Sequence, residues 1–151
     1  MDNAKNEDLI LRTYTLFMEI FQRATKHSDR QLRQSNRVKT ATYLALQALI
    51  VNEGVMSHTK LAEWTNTRKH NITGLVARMK KQGLVTTEYS PIDKRLIPIT
   101  ITDKGRKLYE TSGVTYQDIV KKTMHGITRD KAKELERLLK VVKSNLEQQS
   151  Q

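Results

Sequence analysis

One stretch of the sequence, residues 61–102, constrains the fold most, because a helix-spaced apolar stripe is followed at once by strand-like segments. Four apolar side chains recur at the i, i+3, i+4 and i+7 spacing of an amphipathic helix: Ile72, Leu75, Val76 and Met79. Gly83 stands where a left-handed residue commonly ends such a helix. The stripe therefore predicts a helix with one packed face that stops at Gln82-Gly83.

Strand and turn signals follow this helix. Residues 84–89 are rich in β-branched side chains, and residues 95–101 form a second strand-like run. Between them, Ser90-Pro91-Ile92-Asp93 has turn chemistry, since proline fixes φ and aspartate can bond its own backbone. A short third strand at Val55-Met56 is compatible with the same sheet. With a short helix before the stripe, the order helix, helix, hairpin predicts a winged helix-turn-helix.

Helical patterns fill the rest of the chain. We predict further helices over residues 5–27, 37–52, 58–64, 103 to about 124, and 129 to near the C-terminus. The predicted N-caps are Ser57, Thr102 or Asp103, and Thr128. Residues 27–36 are polar and charged, which predicts a connector. The second helix has the core stripe Val38, Ala41, Leu44, Ala45, Ala48 and Leu49.

The first and last helices have wide apolar faces. The first face consists of Ile10, Thr13, Tyr14, Phe17, Ile20, Phe21 and Ala24, and the last of Ala132, Leu135, Leu138, Leu139, Val142 and Leu146. Each face either packs on its own domain or contacts a second subunit. We favour a second subunit, because the first face is wide and aromatic for a terminal helix.

Charge is concentrated around the apolar stripe. The chain of 151 residues has a net charge of +11, and residues 37–102 carry 10 basic and 4 acidic side chains. No acidic residue occurs between Trp64 and Thr87. A helix with one packed face and one cationic face suits a nucleic-acid groove, although a solvated face is the plainer explanation. An acidic membrane surface would account for the charge but not for the winged hairpin.

Composition narrows the class of protein. The length corresponds to one compact domain with a sizeable core. The chain has no cysteine, which excludes disulfides, thiolate metal sites and thiol redox switches. The sequence opens acidic and polar, unlike a signal peptide, and contains no apolar run near the ~20 residues of a membrane span. We therefore expect a cytoplasmic protein that contacts no membrane.

Five motifs give the chain its resemblance to MarR-type transcriptional regulators. They occur in the family's order and spacing: Leu61-Ala62, the apolar stripe, Gly83-Leu84-Val85, Asp93-Lys94-Arg95 and Ile101-Thr102-Asp103-Lys104-Gly105. The resemblance implies a mainly α (α+β) winged helix-turn-helix fold with N- and C-terminal dimerisation helices. It divides the chain into a DNA-binding region, residues 37–102, and a helical dimerisation region, residues 1–36 and 103–151.

Three positions depart from the family pattern. Arg68 occupies the place of a helix-capping serine, so Thr67 or Asn66 is expected to cap the recognition helix. Gly74 stands where a long polar side chain is common, which removes one possible contact. Pro98 lies within the second wing strand and suits only an edge position. Trp64, before the turn, is expected to pack into the helix corner rather than to stack on a sugar or base.

The resemblance also assigns DNA contacts by position. The predicted DNA-binding residues are Thr67, Arg68, Lys69, His70, Asn71, Thr73, Arg78, Asp93, Lys94 and Arg95. Asn71 is expected to pair with adenine, and Lys69 with guanine or a phosphate. Arg78 lies later on the helix and is expected to meet phosphates or solvent. Arg95 would enter the minor groove, with Asp93 shaping the turn and orienting the guanidinium.

These observations predict a homodimeric repressor that binds a palindromic operator in double-stranded DNA and is released by a small-molecule effector of unknown identity. The main alternative is a protein that binds DNA or RNA without reading sequence. A winged helix used only for protein contacts is a third hypothesis. An enzyme is improbable, since the sequence has no phosphate loop, nucleophile elbow or paired-carboxylate motif, and we expect no cofactor. The four scattered histidines predict no metal site.

Overall fold

Six helices and three short strands make up the part of the chain that the computed structural model describes, residues 2–88 and 98–149. In order they are α1 (Asp2–Asn36), α2 (Thr40–Val51), β1 (Val55–Met56), α3 (His58–Trp64), α4 (Lys69–Lys81), β2 (Val85–Thr87), β3 (Ile99–Ile101), α5 (Asp103–Thr123) and α6 (Arg129–Gln148). This order confirms the predicted fold class. The chain forms two compact units, Met1–Ile119 and Val120–Gln151. The functional division at residues 37–102 stays a prediction.

The three strands form one antiparallel sheet in the order β1-β3-β2. Thr100 of β3 pairs with Val55 on one side and with Thr86 on the other. The expectation that Pro98 lies inside an edge strand is wrong, because Pro98 precedes β3 and β3 is the middle strand. A proline at this place removes no ladder hydrogen bond, since pairing begins at the next residue.

The main core lies between α2, the α3–α4 pair and the sheet. Its buried side chains are Ala45, Leu46, Ala48, Leu49, Met56, Leu61, Ala62, Ile72, Leu75, Val76, Met79, Leu84, Val85, Ile99 and Ile101. The predicted stripe of α4 is therefore confirmed. The prediction for α2 is partly wrong, since Tyr43 and Leu46 are buried and Ala41 is exposed. A helix that is apolar on most sides gives no clear periodicity from which to choose its face.

Helix α1 continues through Asn36, so the predicted connector at residues 27–36 is wrong. This polar run is helical because one side of it packs against α2. On that side Leu32 is fully buried and Ser28 is nearly so. The chain turns at Arg37, which has a left-handed φ of 56°. Helix α2 consequently begins at Thr40, three residues later than predicted.

A carboxylate of α1 caps the first turn of α2. The Thr40 N–H donates a 2.8 Å hydrogen bond to Asp29 Oδ1, whereas the N-cap residue Lys39 forms no side-chain cap. Partial burial by itself raises the pKa of Asp29. The hydrogen bond from Thr40 and the charges of Arg33 and Lys39 outweigh burial, so the pKa falls below its ordinary value of 3.8.

The junction between β3 and α5 gives a physical reason for the glycine of the Ile-Thr-Asp-Lys-Gly motif. The Gly105 N–H donates to Thr102 Oγ1 at 3.1 Å, which identifies Thr102 as the cap, and the Thr102 hydroxyl donates to the Gly83 carbonyl at 2.7 Å. A Cβ atom on Gly105 would overlap the Leu84 carbonyl oxygen and lie 2.9 Å from Ile101 Cγ1. Only glycine lets α5 begin this close to the sheet.

The apolar faces of the terminal helices are largely uncovered by the described part of the chain. In α1 the exposed apolar side chains are Leu9, Ile10, Leu11, Tyr14, Leu16, Met18, Ile20 and Phe21. Helix α6 begins after Thr128, whose hydroxyl accepts from the Lys131 N–H, as predicted. None of its residues is buried. The described residues therefore leave most of the apolar side chains of both helices exposed.

Candidate nucleic-acid interface

The turn between α3 and α4 is closed by backbone hydrogen bonds of a Schellman motif. The Asn66 N–H donates to the Glu63 carbonyl at 3.1 Å, and the Thr67 N–H donates to the Ala62 carbonyl at 2.9 Å. Asn66 itself has a left-handed φ of 48°, which asparagine tolerates better than most residues. This turn, with the buried Leu61 beneath it, fixes where α4 begins.

The N-terminus of α4 differs from the prediction. Its N-cap residue is Arg68, which forms no side-chain cap. Neither expected residue replaces it, because Asn66 ends the preceding helix and the Thr67 hydroxyl donates to the Thr65 carbonyl at 3.1 Å. The first turn also contains no acidic residue. An uncapped, positively polarised helix N-terminus next to the exposed Arg68 suits a phosphate group.

The outer face of α4 is basic and exposed. Side chains on this face with open solvent access are His70, Asn71, Thr73, Ala77, Arg78, Lys80 and Lys81. Gly74 lies among them and is half-buried. The structure thus brings Arg68, His70, Asn71, Thr73 and Arg78 to one surface, whereas the side chain of Lys69 lies outside the described residues. Their proposed contacts with DNA remain predictions.

The base of the winged hairpin is tied to the end of α4. Lys80 Nζ donates to Thr87 Oγ1 at 2.8 Å, and Lys104 Nζ donates to the Gln82 carbonyl at 2.7 Å. Gly83 has the predicted left-handed φ, 72°. The tip that carries Asp93, Lys94 and Arg95 lies within residues 89–97, outside the described residues, so the predictions for these three side chains remain untested.

A cleft next to α4 brings Arg78 together with four cationic side chains that sequence analysis did not assign to a site. It has a volume of about 520 Å³ and is lined by Arg33, Arg37, Val38, Lys39, Thr42, Arg78, Gln82, Leu84, Lys104 and Leu108. Five of these carry positive charge and none is acidic. The recurrence of basic residues at positions 33, 37 and 39 was a signal, but with residues 27–36 predicted as a connector, their position around one cavity could not be inferred.

Behind this cleft, three tyrosines join α2 to α5. The Tyr43 ring stacks on Tyr109 with centroids 5.3 Å apart, and it meets Tyr116 at 4.7 Å. Burial, together with the neighbouring Tyr109 and Tyr116, raises the pKa of Tyr43 to about 12. The Tyr43 hydroxyl is therefore neutral at physiological pH. These rings pack in one apolar cluster with Val38 and Leu108, which line the cleft.

Two other surface features bear on function. Trp64 is 43% exposed, so the expectation that it packs into the helix corner is wrong. Among residues 2–88 and 98–149, no group of three His, Asp or Glu side chains is arranged to hold a metal ion. No helix in these two ranges is both long and apolar enough to cross a membrane.

Comparison with known proteins agrees with this geometry. The chain is 33% identical over 99 residues to the HTH-type transcriptional repressor IacR of Pseudomonas putida, covering 65% of this chain and 59% of that protein. The structure resembles Sco3205, a MarR family regulator of Streptomyces coelicolor solved in complex with DNA. That match has 26% identity and a TM-score of 0.81, and covers 93% of this chain and 88% of the other.

A third protein shares the fold at lower identity. Bordetella bronchiseptica BpsR, whose DNA binding is regulated by 6-hydroxynicotinic acid, is 21% identical with a TM-score of 0.70, covering 85% of this chain and 98% of its own. Residues 38–96, which begin two residues before α2 and include β1, α3, α4 and β2, match the MarR family. The match to the MarR family therefore covers this segment, and the described structure resembles that of a MarR family transcriptional regulator.

Proposed function

We propose that this protein is a sequence-specific DNA-binding repressor that acts as a homodimer. The observation that carries the proposal is the outer face of α4, which is basic, hydrogen-bonding and free of acidic residues. Its inner face is held by fully buried Ile72 and Met79. A helix fixed on one side and cationic on the other enters a major groove without rearrangement.

The terminal helices support the dimer. Their exposed apolar side chains exceed the scattered apolar surface of an ordinary monomer, since they form continuous faces on α1 and α6. Two copies joined by a two-fold axis would offer two α4 helices to DNA. Such a dimer binds a palindromic operator whose half-sites match the spacing of those helices.

Within each half-site we assign contacts by position on α4. The uncapped N-terminus and Arg68 hold a phosphate and set the register of the helix. Asn71 and His70, both exposed in the first two turns, face the base edges, and Asn71 has the amide that pairs with adenine. Arg95 on the wing reaches the adjacent minor groove, as its sequence position predicts.

We further propose that the cationic cleft holds the effector. Its volume lies in the range of small-molecule sites, and its wall combines positive charge with the apolar Val38, Leu84 and Leu108. This combination suits an organic anion with an aromatic or aliphatic body. BpsR offers a parallel, since the regulator of its DNA binding is an aromatic acid. Because Arg78 belongs to both α4 and the cleft, an anion there would disturb the DNA-binding face.

The decisive experiment is selection of DNA from a random duplex library by the full-length protein, followed by competition. A specific repressor should yield a palindromic consensus that survives excess unrelated duplex at moderate salt. The alternative, nonspecific nucleic-acid binding, would give no consensus and would be abolished by the competitor. A panel of aromatic carboxylates, added to the operator complex, then tests release.

A further inference from the structure

Gly74 occupies an unfavourable place for a glycine. It lies in the interior of α4, where glycine is less favourable than every residue except proline. The described part of the protomer gives no steric reason for it. Apart from the helix backbone, a Cβ atom at position 74 would meet only Arg78 Nη1, at 3.6 Å, which is an ordinary van der Waals contact. The fold would therefore accept a side chain here.

The contact with Arg78 Nη1 shows what the absence of a side chain at Gly74 permits. Side chains of a helix incline towards its N-terminus, so Arg78 lies back over the residue one turn earlier, which is Gly74. The guanidinium is carried about 5.4 Å, one helical turn, towards His70 and Asn71. No salt bridge within the described residues holds Arg78 elsewhere. Arg78 is thus exposed on the outer face of α4, where this face borders the cationic cleft.

The geometry points to Gly74 and Arg78 as one specificity-determining pair, in which the bare helix surface at Gly74 lets the Arg78 guanidinium reach a guanine in the major groove. Arginine is suited to this role, because its planar fork bonds guanine O6 and N7 together. Sequence position alone assigned Arg78 to phosphates or solvent. The inference rests on the proposed function, since it concerns how the same helix face selects its operator.

The test measures affinity for the selected operator, for operators with each guanine of a half-site replaced in turn, and for random duplex. Arg78→Lys keeps the charge but loses the fork. We expect it to lower the preference for one guanine about 10- to 100-fold while leaving affinity for random duplex nearly unchanged. Lys80→Gln serves as a control, because the Lys80 ammonium is engaged by Thr87 and should not read a base.

Two variants separate the role of Gly74. Gly74→Leu fills the space beneath the guanidinium with a group that forms no hydrogen bonds, and it should lose the same guanine preference. In the double variant with Arg78→Lys, the loss should be little larger than in either single variant. Gly74→Ala should keep the preference, because its methyl group fits at 3.6 Å. Thermal unfolding should show no loss of stability for either replacement.

The outcomes that overturn the inference are distinct from failure of the proposed function. If wild-type protein selects no consensus, the proposed function itself fails. If wild type is specific but Arg78→Lys keeps every guanine preference, Arg78 reads no base and the inference is wrong. Another outcome is that Gly74→Leu weakens binding to the operator and to random duplex equally, with an effect that adds to that of Arg78→Lys. In that case Gly74 only lets the helix come close to DNA, and the two residues do not act as a pair.

Discussion

Helices α4 and α6 have similar amphipathic sequences, but the described part of the chain covers the apolar face of α4 and leaves that of α6 exposed. The apolar stripe of α4 is covered by its own chain, with Ile72 and Met79 fully buried. The stripe of α6 is open, with Leu135 and Leu139 each 40% exposed and no buried residue along the helix. In α4 the polar face is therefore the surface free for a partner, whereas in α6 the apolar face is. An amphipathic pattern shows that a face must be covered, but not by which molecule.

The largest expected effect comes from placing a charge on the open stripe. Leu139→Asp should convert the protein from two chains to one at micromolar concentration and weaken operator binding by more than about 100-fold, because an unpaired carboxylate in an apolar interface is strongly unfavourable. Light scattering and operator titration measure the two effects. Ser144→Asp, at an exposed position on the polar face of α6, adds the same charge and should leave both unchanged. A wild-type mass of one chain would contradict the prediction.

The covered stripe of α4 should respond differently. Met79→Ala leaves a cavity in the core and should lower the free energy of unfolding by about 2–5 kcal/mol. Urea titrations at low and at high protein concentration should give a similar loss relative to wild type at the same protein concentration, since the contact lies within one chain. Lys81→Ala, exposed on the same helix, should stay within about 0.5 kcal/mol of wild type. A loss seen only in dilute protein would place Met79 in a subunit interface instead.

The polar face of α4 should show its role in DNA selectivity rather than in folding. Asn71→Ala should cost about 1–3 kcal/mol of binding free energy on the operator, because a bidentate adenine contact is lost. Binding to random duplex and thermal stability should barely change. Gel-shift titrations on the two DNAs at one salt concentration measure the difference. Equal losses on both DNAs would reassign Asn71 to a phosphate contact.

The smallest effect concerns Asp29, which caps α2. Asp29→Ala should lower the free energy of unfolding by about 1 kcal/mol at pH 7, since the Thr40 N–H loses its acceptor. The pKa of Asp29 is lowered in the folded state, so its charge stabilises the fold above the ordinary pKa of 3.8. That contribution disappears as pH falls through the lowered pKa.

Urea titrations of wild type and Asp29→Ala from pH 7 to pH 2 measure this dependence. The difference between them should shrink at the acidic end. Asp29→Asn keeps an acceptor oxygen without a titrating group, so it should lie between wild type and Asp29→Ala and should vary less with pH. A wild-type advantage that is constant down to pH 2 would show that the Asp29 charge adds nothing to the cap.

Prediction from sequence succeeded where a local rule and the tertiary contact agree. Ser57 and Thr128 were identified as N-caps because each hydroxyl accepts a hydrogen bond from the N–H three residues later, which requires no contact with a distant part of the chain. Gly83 was identified as a left-handed residue for the same local reason. The start of α4 could not be predicted from Thr67 or Asn66, because a preceding helix used both residues to close its own C-terminus.

By itself the sequence determined the order of elements, the inner face of α4 and the basic character of its outer face, because periodicity, caps and charge depend on neighbours within one turn. Tertiary structure decided the rest. It extended α1 through a polar run, since burial of Leu32 and the Asp29 contact with α2 outweigh weak local propensity. It also gathered Arg33, Arg37, Lys39, Arg78 and Lys104 around one cleft. Residues separated by tens of positions share a cavity only when the packing of distant helices brings them together.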